Sequence, residues 1–92
     1  MDFGLKGKCA AVAAGSAGLG LGAAKALVAE GARVAICGRD QQRLDSAVEL
    51  LGGDTIGIAS DMSSAQGGID FVEAATRELG QVDILVTNAG GP

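Results

Sequence analysis

The sequence predicts an α/β fold: a parallel sheet of four strands with three helices packed on it. Three observations carry the prediction. Short apolar runs alternate with stretches of helical spacing along the 92 residues. The first of these runs is apolar at consecutive positions, as a strand covered on both faces must be. The first run ends in a glycine-dense turn that leads directly into a helix, V-A-A-G-S-A-G-L-G-L-G over residues 12–22. Right-handed crossovers then bring successive parallel strands side by side.

Each element has its own signal. Residues 1–7 are a polar lead-in, and residues 8–14 read as the first strand. Residues 15–18 form the turn. Residues 19–30 read as a helix with Leu19, Ala23, Ala26 and Leu27 at helical spacing, ended by Gly31. Gly22 inside that helix is locally costly, which implies close helix–strand packing there. Residues 33–37 (R-V-A-I-C) are the second strand. Asp40 caps a helix over residues 41–51, whose Leu44, Val48 and Leu51 share one face before Gly52 and Gly53 stop it. Residues 55–59 (T-I-G-I-A) are the third strand. Ser63 or Ser64 caps a helix running to Leu79, with Ile69, Phe71, Val72, Ala75 and Leu79 as its apolar positions and Gly67 and Gly68 in its first turn. Residues 82–87 (V-D-I-L-V-T) are the fourth strand, left through a glycine turn over residues 88–92.

Composition narrows the function. The chain is long enough for one domain, residues 1–92, with no repeat or linker. A net charge of −4 without any basic cluster argues against nucleic acid as a partner. There is no histidine, which removes histidine bases and histidine-ligated metals. Cys9 and Cys37 are too few for a disulfide scaffold or a zinc site. Four residue levels, roughly 13 Å, separate them on adjacent strands, so both read as buried thiols in a reduced, cytoplasmic setting. Residues 9–24 carry no charge and follow Lys6 and Lys8, as in a signal peptide. Glycines interrupt that run, leucine is scarce, and it is too short to span a bilayer, so no membrane association is expected.

The chemistry lies at the strand ends. A strand, a glycine turn and a helix make a phosphate-binding plan, because the turn allows close approach and the helix start favours an anion. Ligands of open parallel sheets bind beyond the carboxyl ends of the strands. Those four ends read A-G-S-A-G-L-G, C-G-R-D, A-S-D-M and T-N-A-G-G, all polar or glycine-rich.

Taken together, these motifs resemble the N-terminal part of the short-chain dehydrogenase/reductase family. That family carries T-G-x-x-x-G-I-G after its first strand, an aspartate past its third, and N-N-A-G after its fourth. Here Ala13 and Ala14 stand at the T-G positions, Gly18-Leu19-Gly20 match G-I-G, Asp61 matches the aspartate, and Thr87-Asn88-Ala89-Gly90 match N-N-A-G. The ending T-N-A-G-G-P is similar to that of members labelled 3-oxoacyl-[acyl-carrier-protein] reductase. Two departures stand out. Ala14 replaces a motif glycine while Gly15 follows it, and Thr87 replaces an amide with a hydroxyl. A second register, Gly18-x-Gly20-x-x-Ala23, satisfies the general dinucleotide fingerprint. It starts four residues past Ala14, whereas that fingerprint begins about one residue past its strand.

The resemblance implies a Rossmann-like, three-layer, incomplete doubly wound fold with its strands in the order 3-2-1-4, which binds a nicotinamide dinucleotide. Gly15, Ser16, Ala17, Gly18, Leu19 and Gly20 would hold the pyrophosphate. Asp61 would accept from the adenine amino group with Met62 beside it, and Asn88, Ala89 and Gly90 would lie along the ribose. Asp61 has an alternative reading as a cap of the next helix, and Asn88-Ala89-Gly90 as a plain turn. Cofactor choice rests on Gly38 and Arg39. An acid near the end of the second strand binds the NAD ribose, whereas arginine takes the 2′-phosphate of NADP. Gly38 occupies the acid position, and Arg39 lies 21 residues after Gly18. NADP(H), held by Arg39 with help from Ser16, is therefore preferred over NAD(H). The competing reading makes Arg39 a solvated charge and gives the ribose to Asp40.

In the family a Ser, a Tyr and a Lys carry the chemistry, and this chain has no tyrosine. The expectation is the NADP(H)-binding portion of a reductase of 3-oxoacyl thioester-like carbonyls, with no catalytic residue of its own. The alternatives are a non-catalytic NADP(H)-binding module, half of a two-chain enzyme, or a remnant without activity. Ile84, Leu85 and Val86 would form an apolar edge, which predicts a second chain or self-association there.

Overall fold

The structure, a computed structural model, describes residues 4–13, 18–61 and 63–87. The elements follow one another as β1 (Cys9–Val12), α1 (Gly18–Ala29), β2 (Arg33–Gly38), α2 (Gln41–Leu51), β3 (Ile56–Ala59), α3 (Ala65–Leu79) and β4 (Ile84–Val86). The strands form one sheet in the order β3-β2-β1-β4, parallel at every pairing. Val12 lies opposite Ile36 on one side and Val86 on the other, and Ile36 lies opposite Gly57.

Side chains of β1 and β2 alternate between two apolar layers, as a pleated strand requires. Ala10, Val12, Val34 and Ile36 face α1 and α2, where Ala24, Leu44, Ala47 and Leu51 close the first layer. Cys9, Ala11, Ala13, Ala35 and Cys37 face α3, where Phe71, Ala75 and Leu79 close the second. Small residues on that second face leave the space that the Phe71 ring fills. Both cysteines are buried and neither is in a disulfide.

Polar contacts tie the layers at the amino ends of the strands. Arg33 Nη1 donates to the Leu79 carbonyl at 3.2 Å, and the Cys9 thiol lies 3.8 Å from the same oxygen. The Asp83 carboxylate accepts from the Cys9 N–H at 2.8 Å and from Gln81, while the Asp83 N–H donates to the Cys9 carbonyl. The Cys9 and Gln81 hydrogen bonds hold the Asp83 carboxyl below its usual range.

Several boundaries and faces differ from the sequence reading. β4 is shorter than residues 82–87, because the Asp83 side chain takes a β1 N–H where a longer ladder would continue. Thr55 lies in the turn before β3, its N–H bonded to the Gly52 carbonyl. Of the two residues read as candidate caps of α3, Ser64 is the one the structure uses. In α1 the inward face carries Gly20, Ala24, Leu27 and Val28, while Ala26 is exposed. Gly22 is also exposed, with open space where a Cβ would sit, so close packing is not its role. The sequence of α1 holds one charge, Lys25, too little polarity to phase a helix by pattern. Ile69 is 52% exposed, off the face that carries Phe71, Ala75 and Leu79.

Candidate functional site

β2 and β3 run past the last β1–β4 pair. Gly38 still pairs with Ala59, and the Ser60 N–H donates to the Gly38 carbonyl at 3.1 Å. β1 ends earlier, with the Ala13 N–H bonded to the Val86 carbonyl at 2.9 Å. The first two crossovers, through α1 and α2, pass on one face of the sheet, and the third, through α3, passes on the other. The direction of winding therefore reverses between β1 and β4, the position where open α/β sheets form their ligand crevice.

The described residues bring several predicted site residues to that end. Gly18, Leu19 and Gly20 open α1, whose first turn contains no acidic residue to oppose an anion. Arg39 follows β2 and is exposed, and Asp61 follows β3 and is exposed. The Asp61 carboxylate accepts from the Ser63 hydroxyl and, at 2.9 Å, from the Ser63 N–H. Those bonds, and then the positive charge of Arg39, hold its carboxyl below the usual carboxylate range. The Arg39 charge thus reaches Asp61 across adjacent strand ends. Gly15, Ser16, Ala17, Met62, Asn88, Ala89 and Gly90 lie outside the described residues.

Asp40 is engaged by its own helix. Its Oδ1 accepts from the Gln42 N–H at 3.0 Å and the Arg43 N–H at 3.2 Å, and its Oδ2 lies 4.0 Å from Arg43 Nε. This is the N-cap predicted from sequence. A shallow cavity of about 410 Å³ opens beside it, between α1 and α2, lined by Leu21, Gln42, Arg43, Ser46 and Leu50 among others. It flanks the strand ends without covering them.

Sequence reasoning treated Ser63 only as a cap and Gly67 only as a blemish in α3. Their contacts with Asp61 depend on how the chain folds back after β3. Spacing alone signals the Ser63 contact, since Asp-x-Ser is a common side-chain turn. Among the described residues no group of three or more histidine, cysteine, aspartate or glutamate side chains is placed to hold a metal ion. No helix among them is long and apolar enough to cross a membrane.

Comparison with known proteins agrees with this geometry. The family model described as short chain dehydrogenase matches residues 8–92. An uncharacterized oxidoreductase, YvrD, of Bacillus subtilis is 39% identical over 92 residues, covering 98% of this chain and 35% of its own length. The rhamnolipids biosynthesis 3-oxoacyl-[acyl-carrier-protein] reductase of Pseudomonas aeruginosa is 41% identical over 90 residues, with 96% and 35% covered. Among solved structures, a hydroxysteroid dehydrogenase from Escherichia coli superposes with a TM-score of 0.85 at 33% identity, over 95% of this chain and 38% of that one. A 3-ketoacyl-(acyl-carrier-protein) reductase from Brucella melitensis, complexed with NADH, gives 0.80 at 34% identity, over 88% and 34%. The chain spans about a third of the length of these relatives.

Proposed function

Since the chain belongs to the short-chain dehydrogenase family, whose members are oxidoreductases that bind a nicotinamide dinucleotide, we propose that it is the NADP(H)-binding part of a cytoplasmic carbonyl reductase acting on a 3-oxoacyl thioester-like substrate. The observation that carries the cofactor choice is the state of the two candidate side chains after β2. Asp40 is engaged as the cap of α2, and Arg39 is exposed beside it with Gly38 in the acid position. A guanidinium there suits a 2′-phosphate, which it grips through parallel hydrogen bonds.

The donor set fits the rest of the dinucleotide. The acid-free start of α1 suits the pyrophosphate, and Asp61, an acceptor when ionised, suits the amino group of adenine. When bound, the nicotinamide supplies a hydride for a carbonyl carbon. The residues of this chain bind and orient it. The 3-oxoacyl class rests on likeness to the Pseudomonas reductase. Leu85, half-exposed on the edge strand β4, supports association there with a second chain or copy, and a sharp monomer by light scattering at high concentration would overturn that part.

The test is a calorimetric titration of the protein with NADPH and NADH. A preference for NADPH of about tenfold or more, lost in Arg39→Ala, is the expected result, since a charge-assisted bidentate contact is among the stronger hydrogen-bonded pairs. Equal affinities, or a preference that survives Arg39→Ala, would overturn the assignment.

A further inference from the structure

Asp61 is held from both sides by Ser63 and Ser64, which begin the descent into α3. Its Oδ1 accepts from the Ser63 N–H and hydroxyl. Its main-chain carbonyl accepts from the Ser64 N–H at 3.4 Å and the Ser64 hydroxyl at 3.3 Å. That same hydroxyl accepts from the Gly67 N–H at 2.9 Å, so Ser64 links the first turn of the helix to the backbone of Asp61. Among the described residues no donor bonds Asp61 Oδ2.

Gly67 closes the clasp. A Cβ at this position would lie 1.7 Å from the Asp61 carbonyl oxygen, 2.6 Å from its carbon and 3.1 Å from Ser64 Oγ. To bring the first contact to 3.0 Å, either the Asp61 carbonyl or the first turn of α3 would have to move by at least 1.3 Å. Gly67 is required here for space rather than for an unusual dihedral, because its φ lies outside the left-handed region. A recognition group tolerates displacement of only about 0.5 Å before its hydrogen bonds degrade.

We propose that Gly67, together with Ser63 and Ser64, is a positioning element for base recognition, fixing Asp61 so that its unbonded oxygen meets the amino group of adenine. The inference rests on the dinucleotide reading above and adds to it the residues that set base selectivity. A site built around a fixed acceptor rejects an analogue that lacks the matching donor, because the acceptor is then left without a partner.

The experiment compares titrations of the protein with NADPH and with reduced nicotinamide hypoxanthine dinucleotide phosphate, in which a carbonyl replaces the amino group. The wild type is expected to prefer NADPH by about tenfold or more, and Asp61→Ala to abolish that preference. Gly67→Ala is expected to bring it within about twofold while NADPH remains preferred over NADH, a split that general loosening of the fold would not produce. Ser63→Ala removes the hydroxyl bond to Oδ1 and leaves the N–H bond, without crowding the turn, and it decides the matter if Gly67→Ala fails to fold. Its expected loss is at least about threefold. A wild type indifferent to the base would overturn the role of Asp61 and this inference with it. A preference lost in Asp61→Ala but intact in both Gly67→Ala and Ser63→Ala would overturn this inference alone.

Discussion

Replacing Phe71 with alanine should remove most of what holds α3 against the sheet. Phe71 is fully buried and is the largest such side chain among the described residues. It shares its layer with Cys9, Ala11, Ala13, Ala35 and Cys37, sheet side chains too short to fill the space it would leave. About 150 Å² of apolar surface at about 25 cal/mol per Å² amounts to roughly 4 kcal/mol before any cavity contribution. With only small side chains on the sheet side of the ring, the cost should approach the upper end of the Phe-to-Ala range, about 4–5 kcal/mol. A chain of 92 residues has a total stability of about 5–14 kcal/mol. The variant should therefore sit near the edge of folding. In urea denaturation followed by circular dichroism, with a slope of about 1.5 kcal/mol per molar, the midpoint should fall by about 3 M. A fall of less than about 1 M, with the slope unchanged, would refute the view that one ring on a floor of small residues secures this layer.

The two helix-facing and helix-borne glycines described above should respond with opposite signs. Gly22→Ala enters open space on the outer face of α1 and should stabilise by about 0.5–1 kcal/mol, whereas Gly57→Ala places a Cβ 2.8 Å from Val48 and 3.1 Å from Leu44 and should cost about 1–3 kcal/mol. Thermal melts of both variants check the pair, and equal shifts would contradict the packing described. Acid should also weaken the fold through Asp61 and Asp83, whose folded carboxyls lie below the ordinary 3.8. The native state then binds fewer protons than the unfolded chain, so their contribution is complete above that value and is lost as pH falls through the lower folded values. Urea midpoints measured from about pH 6 down to about pH 3 should decline mainly below pH 4, and the decline should be shallower in Asp83→Asn. A midpoint constant over that range would count against both carboxylates.

How much was legible in the sequence depended on how strongly each stretch contrasts with itself. α2 was read to its exact ends because polar residues mark its outer face and Asp40 and Gly52 mark its termini. The parallel sheet followed from alternation, whereas its order, 3-2-1-4, came with the family resemblance and is the order the structure shows. α1 was located but wrongly phased, because alanine, glycine and leucine surround it on all sides. The strand-end pattern brought out Arg39 and Asp61 as candidates one by one, without showing that they flank one another. Gly67 was illegible as a partner of Asp61, since its importance lies in a distance between two backbones rather than in any side chain.

The centre of the sheet is assembled from parts that the chain supplies far apart. β1 takes β2 on one edge some two dozen residues later, but its other edge waits for β4, with Cys9 and Asp83 separated by 74 positions. At about 5–20 residues per second during synthesis, that interval is roughly 4–15 s. Over that time β3, β2 and β1 can pair with α1 and α2 above them, while the edge of β1 and the floor for Phe71 stand open. Pairings of such long range slow folding and lengthen the exposure of an unpaired strand. For this protein the vulnerable interval is thus the wait of one of its two inner strands for a second partner. Chaperone dependence and aggregation during production should track the late arrival of residues 65–86.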